Sequence, residues 1–297
     1  MTFTSVLHHH RANLALVIGN GINKYGSAAR TNSWDDLLVA LAGRFLGSDF
    51  QEIPEGIALT EFYDLLELMS GPSISGKSLQ KEFCKQLLGW EPHEHHERIV
   101  SWAQEAKCPL LTTNFENALA KAGNCKLLHT RRDGFTDYYP WETYYGNAQL
   151  SEPKAGFGIW HINGMEYYQR SIRLGLSHYM GSVQRARSWI HRGKTRRLFS
   201  GKNIRNWRGV GTWLDVFFHK PLLIFGLGLE ENEVFLRWLL IERARYFRKF
   251  PDRATPAWFA YTDEVDGSGK LFFLKGVGIE PIRAWGYDEL YGPAAWC

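Results

Sequence analysis

Four short apolar runs stand out along the chain: LALVI at 14–18, PLLT at 109–112, FGI at 157–159 and PLLI at 221–224. Each is too short for a helix and apolar throughout, the pattern of a strand buried on both faces of a parallel sheet. Strands are therefore expected over 14–18, 109–113, 158–162 and 221–225, with further candidates over 126–129, 256–261 and 279–285. Between them the apolar positions recur at helical spacing. Ser33 reads as an N-cap ahead of Asp35 and Asp36, with Leu37, Leu38, Leu41 and Phe45 on one face. Helical patterning resumes at Thr60, Ser78 and His95, so residues 50–107 read as a helical insertion with a Gly/Pro/Ser-rich loop at 71–76. Helices are also expected over 115–122, 177–190 and 230–248, and around 271–275. Strands alternating with helices imply an α/β fold, a doubly wound, mostly parallel, Rossmann-like sheet in a single domain over 1–297.

Composition narrows the class. With 44% apolar and 22% charged residues over 297 positions, the chain is an ordered globular protein with a full core. Cys84, Cys108, Cys125 and Cys297 show no C-x-x-C spacing, which argues against a zinc knuckle or a disulfide framework. No apolar run approaches the ~20 residues of a membrane span, and the N-terminus lacks a signal-peptide pattern, so a soluble cytoplasmic protein is expected. Among the twelve tryptophans, Trp160, Trp207, Trp285 and Trp296 sit beside charges or glycines, positions suited to the core rim or a subunit interface.

A formal charge of +4 is too small to imply nucleic-acid binding, but its distribution is uneven. Residues 185–208 hold nine Lys/Arg and no Asp or Glu, within a basic insertion at 180–215. Such an unmixed block expects an anionic partner: phosphate, nucleic acid or an acidic protein surface. Only Trp189 and Phe199 lie among the charges before Trp207, thin support for base stacking.

Each of the four clear strands runs into a motif at its carboxyl end, the edge where open parallel sheets bind ligands. The first is Gly19-Asn20-Gly21-Ile22-Asn23, a tight turn in which backbone can approach a phosphate closely, or simply a structural turn. Lys24 stands where a third glycine would complete the dinucleotide pattern, and 23–32 reads as loop, delaying any helix. The second is Thr112-Thr113-Asn114-Phe115, where Asn114 either caps the following helix or offers its carboxamide to a ribose or water. In Trp160-His161-Ile162-Asn163-Gly164, His161 and Asn163 share a strand face opposite Trp160 and Ile162. The fourth is Phe225-Gly226-Leu227-Gly228-Leu229-Glu230. His93, His95 and His96 with Glu94 and Glu97 match no standard metal spacing and read as the start of a solvated helix, so no metal is expected. His8, His9 and His10 read as a solvated terminus.

Jointly, in this order, the motifs resemble the sirtuin-like superfamily over about residues 14–233. Ser33-Trp34 and the LGLSHY run at 174–179 resemble its bacterial phage-defence branch. The resemblance implies a fold that binds NAD as substrate and breaks its nicotinamide–ribose bond, without the zinc module of the deacylases. It implies that Asn114 and His161 are catalytic. It also implies that Gly19, Asn20, Gly21, Ile22, Asn23, Thr112, Thr113, Asn163, Gly226, Leu227 and Glu230 bind the nucleotide. The family's histidine directly precedes the glycine, where this chain has Asn163; His161, two residues earlier, is then the proton acceptor. Unrestrained NAD loss would kill the host, so a homo-oligomer switch or a separate sensor subunit is expected. Two other readings stay open: a non-catalytic nucleotide-binding subunit, and a nucleic-acid-binding accessory protein.

Overall fold

The computed structural model describes residues 1–26, 33–47, 51–71, 76–130, 139–200, 204–230, 233–262 and 268–297. The first half contains α1 (Phe3–His10), β1 (Ala15–Ile18), α2 (Gly21–Lys24), α3 (Trp34–Leu46), α4 (Leu59–Met69) and α5 (Gly76–Leu87). There follow α6 (Glu94–Glu105), β2 (Leu110–Thr112), α7 (Ala118–Ala122), β3 (Lys126–His129), β4 (Thr143–Gly146) and β5 (Ile159–His161). The rest comprises α8 (Leu176–His191), α9 (Trp213–His219), β6 (Leu222–Phe225), α10 (Val234–Lys249) and β7 (Ala257–Tyr261). Last come α11 (Ser268–Gly276), β8 (Glu280–Arg283) and α12 (Tyr287–Tyr291).

Among the described residues eight strands form one sheet in the order β3-β4-β5-β2-β1-β6-β7-β8. From β5 to β8 all neighbours are parallel, while β4 runs antiparallel to both β3 and β5. The fold is thus α/β with a mostly parallel, Rossmann-like sheet. Strand register explains why the four apolar runs are continuous: Leu16 lies opposite Leu110 on one side and Leu223 on the other. Successive side chains alternate between two cores. Val17, Leu111, Trp160 and Ile224 pack with Ile190, Phe217 and Leu239 of α8, α9 and α10. Leu16, Leu110, Ile159 and Phe225 pack on the other face with Val6, Val100 and Leu290 of α1, α6 and α12.

Residues 50–107 do not pack as one unit. Helices α3, α4 and α5 share a small core of their own, in which Leu38, Leu41, Phe62 and Phe83 enclose Phe115. By contrast, α6 lies in the layer covering the main sheet, through Ile99, Val100 and Trp102. The expected loop at 71–76 falls mostly outside the described residues, as does 27–32. A one-turn helix, α2, follows the glycine turn at once, so the expected delay is corrected. The N-terminal histidine run also belongs to a helix, α1. Thr2 and Ser5 cap it reciprocally, and Phe3 sets its ring edge against Phe225 at 5.2 Å and Trp296 at 5.8 Å.

Candidate functional site

Strand β1 has β2 on one side and β6 on the other, so the winding direction of the chain reverses between β1 and β6. Loops leaving two such strands diverge to opposite faces and open a crevice. There the glycine turns after β1 and β6 meet backbone to backbone, Gly21 N–H donating to the Gly226 carbonyl at 2.6 Å. A Cβ on Gly19 would collide with Leu227, and one on Gly21 would come within 2.9 Å of Gly226 Cα. Gly226 itself has φ +71°. These glycines serve a close approach of two loops that no larger residue permits. Leu229, in the same motif, is held at φ +52°, a left-handed conformation costly for leucine. Arg237 Nη1 donates to its carbonyl at 3.1 Å.

The crevice holds a cavity of about 600 Å³, within the ordinary range for small-molecule sites. Of the expected site residues, Asn20, Gly21, Thr113, Gly226, Leu227 and Glu230 line it. Gly19, Ile22, Asn23, Thr112, Asn114, His161 and Asn163 do not, and all are buried in the protein beside that lining. The lining also contains Lys24, Trp34, Asp35, Tyr179, Glu233 and Lys270. Glu230 pairs with Lys270 at 2.5 Å. Burial, and next the neighbouring Glu230, push the Glu233 carboxyl up to about 7.

The buried residues form an organised polar layer. Thr112 Oγ1 donates to the Ile18 carbonyl at 3.0 Å and accepts from Asn114 N–H at 3.1 Å, fixing the strand end of β2 against β1. Asn114 is not a helix cap: α7 starts at Ala118, after Asn117. Its Nδ2 donates to the Gly19 carbonyl at 3.4 Å, and its Oδ1 is buried without a partner among the described residues. His161 Nδ1 lies 2.8 Å from the Asn114 carbonyl. A carbonyl only accepts, so Nδ1 carries the proton and Nε2 is the lone-pair nitrogen. That Nε2 also lacks a partner, as does Asn163 Nδ2. Burial lowers the His161 pKa to about 4, against a smaller upward pull from its hydrogen bond to Asn114.

Beneath the glycine turn lie residues whose role the sequence did not disclose. His95 and His96 are buried rather than solvated, because α6 turns this face toward α2. His95 Nε2 donates to the Ile22 carbonyl at 2.7 Å. His96 Nδ1 accepts from His93 N–H at 3.1 Å, so its Nε2 carries the proton and donates to Asn23 Oδ1 at 3.0 Å. Asn23 Nδ2 in turn donates to Asn20 Oδ1 at 2.8 Å and Glu116 Oε1 at 2.6 Å. Burial raises the Glu116 pKa, against hydrogen bonds from Asn23, Ala118 N–H and Asn114. The T-T-N-F motif was thus one residue too short, since Glu116 belongs to the same layer. Among the described residues no group of three or more His, Cys, Asp or Glu is placed to hold a metal ion.

The basic block lies apart from this crevice. Arg187, Arg192, Lys194 and Arg196 are exposed, whereas Leu198 and Trp207 are buried in the core and Trp189 is half-buried. Lys202 lies outside the described residues. Of the tryptophans beside charges or glycines, Trp160, Trp207 and Trp296 are buried and Trp285 is exposed. No described helix is long and apolar enough to cross a membrane. In comparisons with known proteins, no family model matches the chain and no curated protein matches its sequence.

Proposed function

We propose that the chain binds NAD in the crevice between β1 and β6 and hydrolyses its nicotinamide–ribose bond, as the sirtuin-like resemblance implies. One observation carries this reading. The four strand-end motifs meet at one sheet edge, where Asn114 Oδ1, His161 Nε2 and Asn163 Nδ2 are buried next to the cavity lining without partners among the described residues. Buried polar atoms are nearly always paired, so three such atoms from two adjacent strand ends support a ligand or reactive water there. The close backbone turns at 19–23 and 226–227 suit the diphosphate and adenosine, with Lys24 and Lys270 the cations of the lining.

Hydrolysis breaks the C–N bond to nicotinamide, adds the oxygen of water to the anomeric carbon and releases one proton. Positive charge grows on the ribose as the bond breaks, and Asp35 and Glu230 offer negative charge from the lining. The Asn114 carboxamide orients a ribose hydroxyl or the water. His161 Nε2 accepts the proton, being the unprotonated nitrogen near neutral pH. In the setting the resemblance suggests, the activity serves phage defence and is released by oligomerisation or a sensor subunit.

The burial of His161 and Asn163 away from the cavity lining favours a second reading, in which the nucleotide is bound and not turned over. Incubating the purified chain with NAD, measuring nicotinamide release by chromatography and nucleotide binding by calorimetry, separates the two. Release that depends on Asn114 supports hydrolysis; binding without release, alone and with the proteins encoded beside it, supports the second reading. Absence of both would remove NAD from the account.

A further inference from the structure

The opposite edge of the sheet carries a second cavity, also of about 600 Å³, lined by Arg11, Lys107, Lys154 and Lys220, with Glu105 the one acidic residue of the lining among the described residues. Arg11 and Ala12 precede β1, Lys107 precedes β2 and Lys220 precedes β6, so the cavity lies under the amino ends of the three central strands. The four residues of β1, roughly 13 Å of strand, separate it from the crevice at the carboxyl edge.

The cations are unequally matched. Arg11 pairs with Glu105 at 3.0 Å. Lys154 pairs with the buried Asp215 at 2.8 Å and approaches Glu152 at 3.7 Å. Lys107 and Lys220 make no ion pair among the described residues. Each of Arg11, Lys107 and Lys220 follows a helix C-terminus, where a cation is favoured in its own right. The helix ends do not explain why the three converge with Lys154 on one cavity. Nor do they explain a half-buried Lys220 ammonium set beside the charge of Lys154. A half-buried lysine next to like charge is costly unless an anion completes the site, and the exposed Lys107 adds a second unmatched cation at its mouth. Lys107 adds to the case: its backbone has φ +51°, at a helix end where glycine is the usual occupant.

The geometry points to a second ligand site at this edge, one that takes the phosphate group of a small molecule between Lys107 and Lys220, with Lys154 and Arg11 as outer cations. A phosphate dianion fits two unmatched lysines better than a monovalent carboxylate does, because it neutralises both. Among the described residues of the lining no aromatic ring is offered to a base, and the nearby Trp102 ring is buried and faces Arg11 at 5.7 Å. Recognition is therefore of the phosphate, not the nucleoside. This site is independent of whatever the carboxyl-edge crevice binds or cleaves.

The test is calorimetric titration of the full chain, carrying His161→Ala so that NAD is held with little turnover, with inorganic phosphate, pyrophosphate and ADP-ribose at fixed ionic strength, each with and without saturating NAD. Saturable binding of phosphate or pyrophosphate that persists under NAD is expected. ADP-ribose binding under NAD would show that the same pocket also accepts a nucleotide-borne phosphate. Lys220→Gln and the exposed Lys107→Gln should each weaken binding on the order of tenfold, the usual loss of one charge-assisted contact. The double variant should abolish it. Lys24→Gln, in the other cavity, should leave it unchanged, and the fold of every variant is checked by circular dichroism. Any of three results overturns the site: no binding in the parent, undiminished binding in the folded double variant, or loss of binding in Lys24→Gln. Binding of a DNA duplex but of none of the small phosphates would overturn it as well.

Discussion

Two buried polar clusters, one on each side of the molecule's logic, behave oppositely. Under the amino edge, Asp215 is fully buried and matched by charge. It accepts from Trp207 Nε1 at 2.9 Å and His219 Nδ1 at 2.9 Å, and meets Lys154 Nζ at 2.8 Å. Burial alone would raise its pKa; His219 and Lys154 outweigh burial and hold it below the ordinary carboxylate range. At the carboxyl edge, Asn114, His161 and Asn163 are equally buried, yet each keeps a polar atom unpaired. The first cluster is closed by charge: Asp215 Oδ2 has no hydrogen bond of good geometry but faces the Lys154 ammonium as an ion pair, and the cluster is spent on the fold. The second is incomplete as protein alone, which is how a binding site differs from a structural network at the same burial.

The sharpest break of this contrast is a pair of truncations. Asp215→Ala leaves Lys154 and His219 around a vacated buried position and should cost about 3–5 kcal/mol of stability, read by urea denaturation. Asn114→Ala removes a carboxamide that makes a long bond to the Gly19 carbonyl, 3.4 Å, and one to the Glu116 carboxyl, which keeps Asn23 and Ala118 N–H as partners, and should cost about 1 kcal/mol. Nicotinamide release should nonetheless fall by roughly 10²-fold or more. If Asn114→Ala destabilises as much as Asp215→Ala, the two clusters are of one kind and the contrast is wrong.

His161 comes next. Its Nε2 is the unpaired nitrogen, and its Nδ1 is tied to the Asn114 carbonyl. His161→Ala should lower turnover by about 10²-fold while nucleotide affinity stays near that of the parent. The parent's rate should decline on the acid side as pH approaches about 4, where burial has placed this imidazole. A variant that keeps both the rate and the acid limb moves the proton acceptor elsewhere, with Glu233 of the cavity lining the next candidate.

The sheet was legible because its central strands are buried on both faces, and such strands need unbroken apolar runs. The motif positions followed, since strand ends in a parallel sheet share an edge. Strand β4 was missed because its sequence is Thr-Tyr-Tyr-Gly, polar by composition and buried through long-range pairing with β3 and β5. His95 and His96 looked solvated because their partners, Ile22 and Asn23, are 73 residues away in the chain. Periodicity placed His161 and Asn163 on a common face, but no local pattern reveals that this face is covered rather than open to the cavity. Burial of that kind depends on β4, whose Tyr145 ring packs edge-on to His161 at 5.8 Å.

Titration offers a finer separation. Burial first of all lowers His96 to about 3 and His161 and His178 to about 4, below the ordinary 6.5. These groups favour the fold at high pH and lose that contribution as pH falls below 6.5, because the unfolded chain takes up the protons first. Glu166 and Glu233 are raised to about 7 from 4.5, again chiefly by burial. Their contribution is complete below 4.5 and is lost as pH rises through 7. Between pH 4.5 and 6.5 the two sets oppose each other. Glu233→Gln should therefore steepen the rise of stability with pH in that window by about 1.4 kcal/mol per pH unit. Denaturation midpoints at pH 5 and 6 check it, and an unchanged slope would mean that Glu233 is ionised in the native protein.

The smallest expected effect on the site concerns the basic block. Arg187, Arg192 and Lys194 are exposed and belong neither to the cavity lining nor to the buried layer beside it. Charges at the surface and more than a Debye length of about 10 Å away are largely screened at 0.1 M salt. Replacing all three by Glu should therefore leave nucleotide affinity within about twofold of the parent at that ionic strength. The same change reverses the sign of a surface whose aromatic neighbours, Trp207 and Trp189, are turned into the core or half-buried and so offer little for stacking. What such a surface can offer is charge, to an acidic protein face or to a second copy of the chain. Light scattering of the parent and the triple variant, alone and with neighbouring gene products, reads the difference. Loss of assembly with retained nucleotide binding separates the block from the crevice. Equal assembly makes it a solvated face, and a large drop in nucleotide affinity would join the two regions in one electrostatic unit.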